Sequence, residues 1–507
     1  MDFEILKELV GTITRNKIKS IEVLGNVADK NSRTAQFYQA LSDGTVKSDA
    51  EAAQFFFGSD NPRNPNYLKL KAKLKRQLIN TAFFVDVNKP LYNERAKAYY
   101  QCYSDFAAAN ILLLRSAPKS GASILEEVFQ VSVRFEFTEL CLESARVLRQ
   151  IYGRSLTSSQ QHKKYTDIYR TYLVKRDAEL RSSDCFEELI QYYIVKRAPD
   201  EEIHRLSTLY LEELSPQASQ VNTVFFYYRL CLMAVIQSLA CNDYEKALQA
   251  CNEGLAMLQD RPNAGRDMKV VIGLQKISCL TLLKRFENDE AEQAIQFCLE
   301  LSEPGSFNWF RVYELHIQYC LNARRYEAAF DVYAQGMAHP NFHSLQGQVR
   351  ENWQLFGGYF HLLGQLGKLP VEAVKKVVGP FRYARFMNDI NVIGKDKAGM
   401  NVPLILLPVL SVLATNSIQD SDVNMDALEL YRWRYLRGSL HVRSNHFIHL
   451  LALLLKSPLD PKDPPKKIKN LLAALRSETP KISRDSSPAE IIPYEDLWEM
   501  LTEEGYK

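Results

Sequence analysis

The amino-acid sequence predicts an all-α protein, an irregular α-solenoid of antiparallel helical hairpins. Three observations carry that expectation. Apolar residues recur at three- and four-residue spacing in nearly every segment, and alternating, strand-like runs are nearly absent. Short stretches of turn-forming residues cut the chain at close intervals: SDNPRNPN, SAPKSGAS, LSPQAS, DRPNAGRD, SEPGS and AHPNFHS. Small residues also repeat seven apart behind an aromatic, beginning in NDYEKALQACNEGLAML, 242–258.

The elements follow in order. The opening MDFEILKELVGTITRNK carries charges inside its apolar stretch, which is not the pattern of a signal peptide. In NYLKLKAKLKRQLINTAFFVD, 66–86, Leu70, Leu74 and Leu78 recur every four residues, with Lys71, Lys73, Lys75 and Arg76 elsewhere on the helix. That is an amphipathic helix with a basic outer face. Helical patterns fill 93–115, 122–151, 160–181, 185–196, 200–214, 222–240 and onward. Helices of roughly 15–20 residues joined by short turns make an antiparallel array. The most apolar segment, VPLILLPVLSVLA at 402–414, contains Pro403 and Pro408 and falls short of the about 20 residues a membrane helix needs. It reads as a buried helix. Near the end, ETPKISRDSSPAE has linker composition, and Ile491, Ile492, Tyr494, Leu497, Trp498 and Leu501 then form a dense apolar set. Two destinations are open for it: a cap on its own array, or a recognition peptide for another molecule. Capping is favoured, because an exposed cluster of this kind is an aggregation liability. The expected division is an N-terminal helical region at 1–90 and repeats over 91–398. A helical region with a basic surface follows at 399–470, then a linker and docking tail at 471–507.

The repeat is carried by particular residues. Tyr244 precedes Ala247, and Gly254 lies seven residues beyond; Tyr326, Ala329 and Gly336 reproduce the arrangement. Ala291 and Cys298 keep the seven-residue step, with Phe286 two places early, and Phe135, Thr138 and Ala145 make a fainter copy. Seven residues are two helical turns, so both small residues lie on one face and admit a neighbouring helix. At these residues the chain resembles the tetratricopeptide family of stacked helical hairpins, clearly over 222–340 and weakly over 93–215. It departs from that family in its steps between the alanines, longer than the usual repeat of about 34 residues, and in lacking the Trp and Leu-Gly of the first helix. The resemblance implies a superhelix whose groove binds protein or peptide. The texture, including the closing EIIPYEDLWEML, is also similar to long helical proteins of bacteria, which implies no function.

Composition narrows the classes. With 46% hydrophobic and 24% charged residues the chain can bury a core, and a net charge of +3 selects neither nucleic acid nor membrane. Nine cysteines without a C-x-x-C pair read as free thiols of a reducing compartment, hence a cytoplasmic protein. The ten-residue steps from Cys231 to Cys241 to Cys251 are too wide for clustered zinc ligands. No phosphate-cradling, dinucleotide, zinc-protease or nucleophile-elbow motif occurs, so no enzyme, cofactor or metal is expected. Asp420, Asp422 and Asn424 mimic the start of a calcium loop, but Met425 stands where Gly is needed and Tyr431 where Glu is needed. An acidic helix start explains them better. His446 and His449, three apart, lack further ligands nearby.

The expected function is therefore a non-enzymatic scaffold that binds a protein or peptide. Groove candidates on first helices are Tyr227, Tyr228, Arg229 and Gln275, then Asn308, Arg311 and Glu314. The alternative is a signal-sensing regulator that binds nucleic acid through a basic surface at 63–76 or 432–469. In the second stretch Arg432, Arg434, Arg437, Arg443, Lys466, Lys467 and Lys469 interleave with aromatics, a composition that grips phosphates or acidic peptides.

Overall fold

Serine placement sets where the first helices begin. Ser32 accepts from the Ala35 N–H at 3.2 Å, so α1 starts at the next residue (Arg33–Ser42). Before α2 (Asp49–Phe57), Ser48 accepts from the Glu51 N–H at 3.2 Å while the Glu51 carboxylate accepts from the Lys47 N–H at 2.8 Å. Gly58 closes α2 at φ +65°, a left-handed position that suits glycine. In this computed structural model the described residues are 3, 6, 32–82, 94–196, 198–259, 261, 263–345, 347–379, 401–415, 442–456, 465–478 and 490–503. All regular structure among them is helical, without strands.

The chain forms two compact units, Met1–Arg176 and Asp177–Lys507. In the first, α1 and α2 pack on α3 (Pro65–Ala82), whose Leu70, Leu74 and Leu78 point into a core with Phe37, Ala52, Ala53 and Tyr67. Lys69 is exposed and Lys75 half-buried, and Lys73 and Arg76 face solvent, as the pattern predicts. Lys71 does not. It is 5% exposed, with its Nζ 2.6 Å from Asp49 Oδ1, which also accepts from the Tyr67 hydroxyl. Lys71 stands one turn after Tyr67 at the edge of the buried stripe, and Asp49 supplies the counter-charge that burial demands.

Next come α4 (Glu94–Leu114), α5 (Pro118–Phe135) and α6 (Thr138–Arg154), packed in sequence. The single helix expected over 122–151 is thus two. Glu136 takes φ +55° and the Phe137 N–H returns to the Ser132 carbonyl at 2.8 Å, ending α5. The expected helices 160–181 and 185–196 instead run together as α7 (Ser159–Ile190), which a π turn at Gln191–Val195 follows. The intervening Ser-Ser-Asp holds no Pro or Gly to stop a helix. Ser182 is accommodated by donating its Oγ to the Glu179 carbonyl at 2.7 Å.

In the second unit α8 (Asp200–Leu214) packs on α9 (Val224–Ala240). Hairpins follow: α9 with α10 (Tyr244–Gln259), α11 (Arg266–Leu282) with α12 (Glu290–Leu301), and α13 (Phe307–Asn322) with α14 (Tyr326–Ala338). The first helices also meet one another, α9 on α11 and α11 on α13. One turn serves all three hairpins. Asn242, Lys284 and Arg324 take φ +54°, +54° and +58°, and the next N–H reaches back to Ser238, Leu280 and Cys320 at 3.0, 3.1 and 2.9 Å. The small residues sit where helices touch. Ala247, Ala291 and Ala329 are fully buried, and a Cβ on Gly254 would stand 2.3 Å from Cys231 Sγ.

The unit continues through α15 (Gly347–Gln365), α16 (Val371–Val378), α17 (Asn401–Thr415), α18 (Val442–Lys456), α19 (Lys466–Ser477) and α20 (Tyr494–Glu503). α19 thus carries helix to residue 477, into the stretch assigned to the linker. The apolar 402–414 segment is the buried α17, with Leu404, Leu406, Leu407 and Leu410 in the core. The tail folds back. Ile491, Ile492, Tyr494, Leu497, Trp498 and Leu501 are all buried in the core that reaches from Ala247 to the tail. Tyr494 stacks on Phe447 at 4.3 Å, and Asp496 and Glu499 clasp Arg324 at 2.5 and 2.8 Å. No helix among the described residues is long and apolar enough to cross a membrane.

Candidate functional site

A groove of about 440 Å³ runs between α10 and α12, with α11 beneath it. Gly273 of α11 lies on its floor and lets α12 pack close, since a Cβ there would stand 2.3 Å from the buried Cys298 Sγ. Lys269 and Lys276 flank that glycine, one turn before and about one turn after. Asn252, Leu255, Ala256 and Gln259 form the α10 wall, and Glu290, Gln293, Ala294 and Phe297 form the α12 wall. A shallower lobe of about 340 Å³ shares Asn252 and extends along α10 to Glu245, Lys246 and Arg285.

Charge in the groove is partly neutralised. Lys276 reaches Glu290 at 3.1 Å, and Arg285 joins Glu245 at 2.7 Å and Glu290 at 3.7 Å. Asn252, Gln259 and Gln293 face solvent, and the Phe297 ring is 37% exposed on an otherwise polar helix face. A carboxamide both donates and accepts, so amides on opposite walls match the alternating N–H and C=O of an extended peptide. Phe297 and Leu255 offer apolar area to a side chain, and Lys269 offers a cation to a carboxylate.

None of the seven residues predicted to contact a partner lines this groove. Tyr227 is partly exposed beneath the Arg261 guanidinium, 5.0 Å from its ring. Burial pushes the Tyr228 hydroxyl up to about 12, and the Arg229 guanidinium donates to the Glu179 carbonyl and to Ser182 Oγ at 3.3 Å each. Gln275 is half-buried, and Asn308 bonds Asp267 at 3.3 Å. Glu314 is a correction: it is 1% exposed, paired with Arg311, and unavailable to a partner. The cause is the position of α13, which packs against α11, α12 and α14 at once and leaves little free face. Burial pushes the Glu314 carboxyl up to about 7, against the pull of Arg311, Asn352 and Trp353.

The predicted basic surface also divides. Arg432, Arg434 and Arg437 lie outside the described residues, as do Asp420, Asp422 and Asn424 of the calcium-like stretch. Lys466, Lys467 and Lys469 are exposed on α19. Arg443 is the second correction. It is 7% exposed, with Nε 2.6 Å from Glu490 and Nη2 2.7 Å from Glu495. Its Nη1 caps the carbonyls of Leu475 and Glu478 at 2.5 and 2.8 Å. It is an internal clamp on the tail.

His446 and His449 share α18, and no group of three His, Cys, Asp or Glu side chains among the described residues is placed to hold a metal. Sequence reasoning missed Asn252, Lys269, Gln293 and Phe297. Two signals were present: Phe297 amid Gln293, Gln296 and Glu300, and lysines flanking a mid-helix glycine. No protein-family model, curated protein or solved structure matches this chain.

Proposed function

We propose that this chain is a non-enzymatic, tetratricopeptide-like scaffold that binds a protein segment in the groove between α10 and α12. The observation that carries the reading is the groove itself, with solvent-facing carboxamides on both walls around an exposed aromatic ring. The solenoid reading draws support from three hairpins closed by the same turn, from first helices packed on first helices, and from small residues at the crossings. Work in the reducing cytoplasm fits nine free thiols. The nucleic-acid alternative keeps the exposed Lys69, Lys73 and Arg76 of α3 but loses Arg443 to the interior.

Selection of a displayed random-peptide library on the full chain tests the proposal. Selected peptides should bind Asn252→Ala, Gln293→Ala and Phe297→Ala variants at least about tenfold more weakly, the scale of one lost buried contact. Peptides that bind all three variants like the parent would place the binding surface elsewhere.

A further inference from the structure

Eight of the nine cysteines are withdrawn from solvent. Seven are buried, and the half-buried Cys231 donates its thiol to the Ala250 carbonyl at 3.4 Å. Burial pushes the thiols of Cys185 and Cys320 up to about 11 and those of Cys231 and Cys298 to about 12, so they stay protonated at neutral pH. Cys241 differs. It is exposed, in the turn from α9 to α10 beside Asn242, and its Sγ lies 3.1 Å from Nδ1 of His204. His204 is itself exposed, on the second turn of α8.

We infer that Cys241 and His204 form a reactive thiol–imidazole pair, a site for reversible attachment of a low-molecular-weight thiol by exchange with its disulfide. When the sulfur attacks one sulfur of a small disulfide RSSR, the thiol proton passes to His204 Nδ1. The new Cys241–S–SR bond forms as the old S–S bond breaks. The leaving RS⁻ departs with that electron pair and takes up a proton from the imidazolium. The small disulfide is the oxidant, and excess RSH reverses the exchange.

The surroundings assign the proton-accepting role to the imidazole. Cys241 caps the carbonyl end of α9, where the helix field does not favour an anion. Around the pair, Asp200 and Glu201 stand one turn before His204 on α8, and Lys246 of α10 is ion-paired to Asp243 at 2.9 Å. Lys246 holds its proton more tightly chiefly through Asp243 and, to a lesser degree, through Cys241, which places its charge near the sulfur. That ammonium selects a disulfide bearing carboxylates. Because Lys246 also lines the shallower lobe of the groove, an attached group would stand at that end of it.

The test is incubation of the full chain with oxidised glutathione at pH 7, followed by peptide mapping by mass spectrometry. One glutathionyl adduct should appear on Cys241, vanish with dithiothreitol, and be absent from Cys241→Ser. An unaided thiol is only a few per cent ionised at pH 7, so His204→Gln should slow the initial rate about tenfold there. The two rates should converge near pH 10, where thiols ionise without help. His204 is exposed, and circular dichroism of the variant should match the parent. First modification at any other cysteine, or equal rates for His204→Gln and parent at pH 7, would overturn the assignment.

Discussion

Gly336→Ala isolates the close packing on which the hairpin array depends. An ideal Cβ at Gly336 would stand 2.1 Å from Trp353 Cη2 and 2.7 Å from Cζ3. Carbon contacts are comfortable at about 3.5–4.0 Å, so the ring would have to retreat by roughly 1.5 Å. It has nowhere to go. Trp353 is fully buried, with ring centroids of Tyr333 at 5.5 Å, Phe342 at 5.3 Å and Phe310 at 5.8 Å. Overpacking of this kind costs about 1–3 kcal/mol. Ala over Gly inside a helix returns about 1 kcal/mol. The net expectation is a loss of up to about 2 kcal/mol, read from the urea midpoint followed by tryptophan fluorescence. The sign is the test, because a methyl entering open space would give a gain. In a Trp353→Phe background the clashing six-membered ring of the indole is gone. There the same substitution should become neutral or stabilising, a coupling of at least about 1 kcal/mol. A raised midpoint for Gly336→Ala in the parent would refute the reasoning.

Three further outcomes follow from the geometry. Arg443→Met should cost about 3–5 kcal/mol, since it leaves the largely covered Glu490 and Glu495 without their cation, and adding Glu490→Gln with Glu495→Gln should recover part of that loss in denaturant titrations. Deleting 489–507 should lower the thermal midpoint and raise binding of an apolar-surface dye, because seven buried apolar side chains, Met500 among them, leave the core. Glu314, raised to about 7, holds its proton in the folded chain where the unfolded chain has released it. Folded protein therefore binds more protons between about pH 4.5 and 7, and stability falls as pH rises through that window. Glu314→Gln should flatten this stretch of the stability–pH curve, by roughly 3 kcal/mol across it.

Helical character was legible because periodicity reports which face is buried, and it placed Leu70, Leu74 and Leu78 in the interior; the tail set, left with two destinations and favoured as a cap because of the apolar area it would otherwise expose, is buried too. The seven-residue steps were legible for the same reason, as Gly254 against Cys231 demonstrates. The hairpin turns were not. Their left-handed positions are filled by Asn242, Lys284 and Arg324, three residue types with no shared signature. Arg443 was read as part of a basic surface because its acidic partners lie beyond that stretch, at 490 and 495. The groove walls come from two helices that both pack on a third, and Cys241 meets His204 across 37 residues. Such juxtapositions follow from stacking geometry, which local spacing does not encode.

The clasp between Arg324 and Asp496 joins positions 172 residues apart. At about 5–20 residues per second, a ribosome needs roughly 9–34 s to make the intervening chain. During that interval the turn between α13 and α14 exists without the helix that clasps it, and the core lacks the apolar set of Ile491, Ile492, Leu497 and Leu501 that fills it in the folded chain. A nascent chain stalled before residue 490 therefore offers chaperones and proteases a surface that the finished protein hides. Completion of α20 marks the moment at which this unit passes from a client of quality control to a settled structure.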